Sequence, residues 1–180
     1  MEKLVFVFLV FVAVNSFPQT DLCKILEKTP QLELPYTDRI GSGNESMPVS
    51  LNNIVWSRLG LDSLEFFIGK EVNSSDQYNS FRYGLVGFQN LADGKLLFIQ
   101  RNYTNESIHW TVIFKDGSLQ DWLLTAYDNA EGFYAVQSLI EDGKITRYIY
   151  NLYSDQEKTT EFYRIASDSF EKFVPTDENM

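Results

Sequence analysis

The chain has 180 residues, 44% of them hydrophobic and 15% aromatic, enough for one domain with its own core. Its formal net charge is −10 and it has no cluster of Lys and Arg, so nucleic acid and anionic membranes are poor partners and the acidic excess reads as a solubility device. A single cysteine excludes an internal disulfide, and with a single histidine a zinc or redox-metal site would need its ligands drawn almost wholly from carboxylates.

Met1-Glu2-Lys3 is followed by an unbroken apolar run of eleven residues, 4–14, and then by Asn15-Ser16. These are the dimensions of a secretory signal peptide, because a membrane-spanning helix needs roughly 20 apolar residues. Val14 and Ser16 suit the −3 and −1 positions of a cleavage site. Removal of 1–16 would release a secreted or periplasmic protein with no membrane span. Cys23 is then expected to be an inert free thiol, since Thr20-Asp21-Leu22 before it lacks the small residue that lipoprotein processing requires.

Residues 17–80 read as an irregular segment that forms a single domain with 81–180. Leu22, Ile25 and Leu26 can seat one helical turn. Gln31-Leu32-Glu33-Leu34 alternates apolar with polar and is stopped by Pro35, as an edge strand would be. A short helix is predicted over 62–69: Asp62 caps it, Glu65 holds the capping-box position, Gly69 ends it, and Leu64, Phe67 and Ile68 share its buried face. A polar connector follows at 72–80.

From 81 onward the chain repeats a hairpin. Ala92-Asp93-Gly94-Lys95, Lys115-Asp116-Gly117-Ser118, Glu141-Asp142-Gly143-Lys144 and Ser167-Asp168-Ser169 place aspartates at intervals of 23, 26 and 26 residues. Asp-Gly supplies the positive φ angles of a tight two-residue hairpin turn. Eight strands follow from these turns: 82–90, 96–103, 108–115, 119–127, 133–140, 145–153, 160–166 and 170–174. Connections this short leave no room for crossover helices. The expected fold is therefore all-β, an antiparallel up-and-down meander, either a curved open sheet or a barrel, with one short helix in the N-terminal half.

In the third strand Ile108, Trp110, Val112 and Phe114 share a side opposite His109 and Thr111, the pattern of a half-buried strand. Elsewhere both sides are apolar or aromatic: Tyr148 and Tyr150 stand opposite Ile145 and Ile149, and Trp122 stands opposite Leu123. Such a second face is either covered by the N-terminal segment or used as a contact surface.

Leu34-Pro35-Tyr36, the helix at 64–69, Tyr83-Gly84-Leu85, the aspartyl turns and the closing run from Tyr163-Arg164-Ile165 to Phe170-Glu171-Lys172-Phe173 resemble a known pattern. Over residues 32–173 the chain is similar to uncharacterised small secreted β-meander proteins of Gram-negative bacteria. The resemblance implies a fold and an export route, and no activity, cofactor or catalytic residue. Ser169 stands where a turn glycine is usual in that group.

Chemistry is sparsely signalled. Asp128-Asn129-Ala130-Glu131-Gly132 lacks the order of a calcium loop and reads as a solvated turn. His109 reads as an exposed strand-end histidine, and no Gly-x-Ser-x-Gly accompanies it. Asp121, Glu131, Glu141, Asp142 and Glu161 are candidate carboxylates for hydrolysis, but no two are singled out as a pair. Gly84 and Gly87 form no phosphate loop. Asn44, Asn73, Asn102 and Asn105 begin Asn-x-Ser/Thr sequons, which carry glycans only in a eukaryotic secretory route.

The expectation is thus a non-enzymatic binding or interaction protein without cofactor or metal, using Trp122, Tyr134, Tyr148 and Tyr150 on an aromatic sheet face. Its partner would be a glycan, an envelope protein or an apolar small molecule. One alternative is a carrier with a barrel cavity lined by Leu97, Ile99, Val112, Phe114, Val136 and Ile149. Another is a hydrolase using His109 or a carboxylate pair.

Overall fold

A computed structural model describes residues 22–40, 48–51, 82–103, 106–128, 134–151 and 157–175. The expected signal peptide at 1–16, the 62–69 helix, Glu131, Asn44, Asn73 and Asn105 lie outside the described residues. A helix occupies 22–26, where the spacing of Leu22, Ile25 and Leu26 predicts it, and Thr29 Oγ1 donates to the Ile25 carbonyl at 2.8 Å as it ends.

Among the described residues ten strands form one sheet. They are β1 (Tyr36–Asp38), β2 (Val49–Leu51), β3 (Arg82–Asn90), β4 (Lys95–Tyr103), β5 (Glu106–Lys115), β6 (Ser118–Asp128), β7 (Tyr134–Glu141), β8 (Lys144–Asn151), β9 (Glu157–Ile165) and β10 (Phe170–Phe173). From β2 to β10 neighbours in sequence are neighbours in space, all antiparallel, and the sheet stays open rather than closing into a barrel. The meander is therefore as the turn spacing predicts.

The turns divide by geometry. Asp116 (φ 52°) and Gly117 (φ 79°) make a two-residue turn with both central residues in the left-handed region, and Gly143 (φ 70°) alone does so after Asp142. Asp93-Gly94 instead belongs to a four-residue loop between the paired Asn90 and Lys95, closed by Leu91 N donating to Gly94 O at 3.0 Å. Gly94 is needed there for space, since a Cβ would lie 2.7 Å from the Phe114 carbonyl oxygen. The last turn also has four residues, with Ala166 N donating to Ser169 O at 2.9 Å.

The edge strand falls beyond Pro35, not before it. Gln31 makes one isolated parallel bridge to Phe88, with Leu32 N and the Pro30 carbonyl bonding the Phe88 backbone. Leu32 fits against β3 because residue 87 is glycine: a Cβ there would lie 2.4 Å from Leu32 Cγ. The strand proper, β1, pairs with β7, Tyr36 opposite Ile140 and Asp38 opposite Ser138.

That pairing splits the sheet. β6 and β7 pair only at Tyr127–Val136 and Asp128–Ala135, and the next stretch of the β7 edge belongs to β1. β6 bends on its other side, where the register with β5 skips Gln120 and Thr125. Each skip is a β-bulge that turns an extra residue out of the ladder.

Both faces of the central strands are covered, so β5 is not half-buried: every residue from Ile108 to Phe114 is buried. One cluster gathers Leu85, Leu97, Ile99, Trp110, Val112 and Phe114 beneath Leu22 of the helix. The other gathers Val86, Leu96, Phe98, Ile113 and Leu123 with Ile140, Ile145 and Tyr163 from β7, β8 and β9. The inner face of β7 and β8 serves both, giving Val136 and Ile149 to the first and Ile140 and Ile145 to the second. Each such large side chain contributes about 1.5–3 kcal/mol on burial. Asp121 links β6 to β10 by a side-chain bond across the open sheet, accepting from Trp122 N at 2.8 Å and from Phe170 N of β10 at 2.7 Å.

Candidate functional site

The split in the sheet leaves backbone groups of β6 without strand partners, and polar side chains supply them. Ser138 Oγ donates to the Thr125 carbonyl at 2.7 Å, and Arg147 Nη1 donates to the Leu124 carbonyl at 3.1 Å. Asp38, carried in by β1, accepts from Thr125 Oγ1 at 2.6 Å and meets His109 Nδ1 at 2.7 Å, while Thr111 Oγ1 donates to Thr125 Oγ1 at 3.1 Å. The bulge at Thr125 is what aims its hydroxyl into this cluster.

His109 is therefore not an exposed strand-end histidine. It is 4% exposed, in the middle of β5, with Asp38 only 2% exposed beside it. Burial of a carboxylate is tolerated because imidazole and hydroxyl bond it directly. Among the described residues no group of three or more His, Cys, Asp and Glu side chains is disposed to hold a metal ion.

A second polar cluster lies on the inner face of β8, β9 and β10. Glu161 accepts from Arg147 Nε at 2.9 Å, from Arg147 Nη2, from Tyr163 Oη at 3.0 Å and, through its other oxygen, from Lys172 Nζ at 2.6 Å. Burial alone would raise its pKa, but the hydrogen bonds from Lys172 and Arg147, the Arg147 charge and the Tyr163 hydroxyl outweigh it and hold the carboxyl at about 2. Tyr163 is raised, chiefly by burial. Of the candidate carboxylates, Asp121 and Glu161 are thus bound into structure, and Glu141 and Asp142 are exposed at the β7–β8 turn.

The four predicted aromatic residues fall into two groups. Trp122 and Tyr134 pack against the first core cluster, and Tyr134 lies 5.9 Å from the Tyr127 ring. Tyr148 and Tyr150 project from the opposite, outer face of β8, half-buried, and belong to neither cluster.

Strand register assembles the rest of that outer face. Gln137 and Thr160 flank Tyr148, Ala135 and Lys158 flank Tyr150, Thr146 stands beside Phe162 and Phe173, and Lys144 and Arg164 lie at the far end. Lys158 Nζ sits 4.3 Å from the Tyr148 ring centre and 5.7 Å from that of Tyr150, and Gln137 Nε2 donates to Tyr150 Oη. Phe162 and Phe173 are 6.1 Å apart, with Arg164 5.7 Å from the Phe173 ring. Among the described residues Lys144, Lys158 and Arg164 make no ion pair. Beside Tyr150 a hollow of about 150 Å³ is lined by Arg39, Tyr127, Asp128, Val136 and Gln137 among others.

Of the proposed carrier residues, all six belong to the first packed cluster or lie against it; Val136 also borders the hollow beside Tyr150 and Phe114 borders a larger cleft. That cleft, of about 630 Å³, lies between the 22–26 helix and the β3–β4 and β5–β6 turns, with Leu22, Leu26 and Phe114 along it and the exposed Cys23 at its margin.

Phe162, Phe173, Lys158 and Arg164 were absent from the expected binding set. Their alternation in 158–164 and 170–173 carried the signal, once Lys158 is aligned with Tyr150. No family model, curated protein or solved structure matches the chain.

Proposed function

We propose that the protein is a secreted or periplasmic, non-enzymatic binding module whose contact surface is the outer face of β7–β10. The observation that carries this reading is the outer row of Tyr148, Tyr150, Phe162 and Phe173, half-buried and outside both cores, on a hydrogen-bonded sheet. Aromatic rings set side by side on neighbouring strands offer contact area at little entropic cost, which is how glycans and protein partners are gripped. The export reading is supported by the apolar run at 4–14. The non-enzymatic reading is supported by the single histidine, which is buried against Asp38.

Affinity electrophoresis through gels containing envelope polysaccharides tests the face. The wild-type protein is retarded by at least one of them, and Tyr148→Ser with Tyr150→Ser abolishes retardation while the melting temperature shifts little. A large fall in melting temperature would mark these rings as core and remove the reading.

The cleft beside the 22–26 helix favours a second reading, carriage of an apolar ligand, since its volume lies within the roughly 300–1,000 Å³ of small-molecule sites. Organic extraction of the purified protein would then release a bound apolar compound. An extract empty of one counts against carriage.

A further inference from the structure

We propose that the outer face of β7–β10 binds an anionic polysaccharide, a chain of sugars bearing carboxylates, with one unit seated in the hollow beside Tyr150. This rests on the reading of that face as a contact surface and names its ligand.

The face is a track. Along β8 the outward positions Tyr150, Tyr148, Thr146 and Lys144 run over six residues, roughly 20 Å at the rise of a strand. Cations stand at both ends, Arg39 and Lys158 by Tyr150 and Lys144 and Arg164 opposite, and the rings lie between. Among the described residues none of these four cations makes an ion pair, in a chain whose net charge is −10. Among the described residues, Asp128 at the hollow and Glu141 and Glu171 at the far end are the carboxylates that border the track. Beyond about 8 Å the protein's overall charge is screened at physiological salt, so these local cations set the preference.

The hollow, at about 150 Å³, is well below the roughly 300–1,000 Å³ of a self-sufficient ligand pocket, so it fits one unit of a longer chain. Gln137, Thr146 and Thr160 supply the neutral donors and acceptors that sugar hydroxyls need. An extended acidic peptide would bind by adding to a free strand edge. Among the described residues β10 offers one at the border of the face, whereas β8 and β9, which carry Tyr148, Tyr150 and Lys158, are paired along both sides.

Calorimetric titration of the full chain with polygalacturonate, with dextran as a neutral glycan and with polyglutamate as an acidic polypeptide tests the assignment. Binding is expected for polygalacturonate, at least about tenfold weaker when salt rises from about 0.05 to about 0.5 M. Lys158→Gln and Arg39→Gln, both at exposed positions, each weaken it at least about threefold without moving the melting temperature. Equal binding of dextran that needs Tyr148 but ignores Lys158 overturns the anionic ligand and leaves the contact face standing. Tighter binding of polyglutamate than of polygalacturonate transfers the face to a protein partner and overturns the proposal. Binding of none of the three, or binding indifferent to Tyr148→Ser, removes both the ligand and the face.

Discussion

The two faces of β8 and β9 carry the same kinds of side chain and treat them oppositely. Inside, the Arg147 guanidinium and the Lys172 ammonium converge on Glu161, with Tyr163 bonded to the same carboxylate. Outside, the Lys158 ammonium rests on Tyr148 and Tyr150, and among the described residues no carboxylate pairs with it. The interior therefore spends its polar groups on holding strands together, above all at the split between β6 and β7. The exterior sets its cations against rings instead, Lys158 over Tyr148 and Tyr150 and Arg164 over Phe173, on the face proposed above as the contact surface.

The contrast breaks most readily at Asp38. Asp38→Ala strips the buried His109 and Thr125 of their acceptor and should cost about 3–5 kcal/mol in urea unfolding. A cost under about 1 kcal/mol would show that the interior cluster is not holding β1 in place. Glu161→Gln should cost less, about 2–3 kcal/mol near neutral pH, because its site is partly open to water. Its pH dependence is the sharper test. A carboxyl at about 2 in the folded chain and 4.5 ordinarily stabilises the fold above 4.5, and the benefit is lost as pH falls toward 2. The gap in melting temperature between wild type and Glu161→Gln should accordingly narrow below 4.5, and a gap that widens there contradicts the assignment. Ser138→Ala, which leaves the Thr125 carbonyl without its donor, should cost about 1–2 kcal/mol. Smallest is Lys158→Gln, expected within about 0.5 kcal/mol of wild type, as for an uncommitted surface side chain. A larger loss of stability would place Lys158 among the structural groups.

Strands and turns were legible because Asp-Gly pairs and period-two alternation act locally; the β3 span of 82–90 is met residue for residue. The fork was not legible. Asp38 and His109 are 71 residues apart, and β1 follows Pro35 in a stretch with no alternation long enough to mark it. The Thr125 bulge likewise leaves no trace in a run of apolar residues. Register was lost more subtly. A turn expected at 154–159 would set Arg147 across from Ala166, whereas the hairpin between Asn151 and Glu157 sets it across from Glu161 and sets Tyr150 across from Lys158. Two or three residues of error in one loop thus concealed both the interior ion cluster and the cation on the outer rings.

The insertion of β1 has a consequence for assembly in time. Hairpins from β3 to β10 close over short loops and can form early, but Tyr36 must find Ile140 across most of the chain's length. Until it arrives, the rim of β7 from Ser138 to Ile140 stands bare, and an exposed rim is a template for a neighbouring molecule. The three-residue strand is thus a late latch, and its arrival ends the window in which the newly made protein can cross-pair with its own kind.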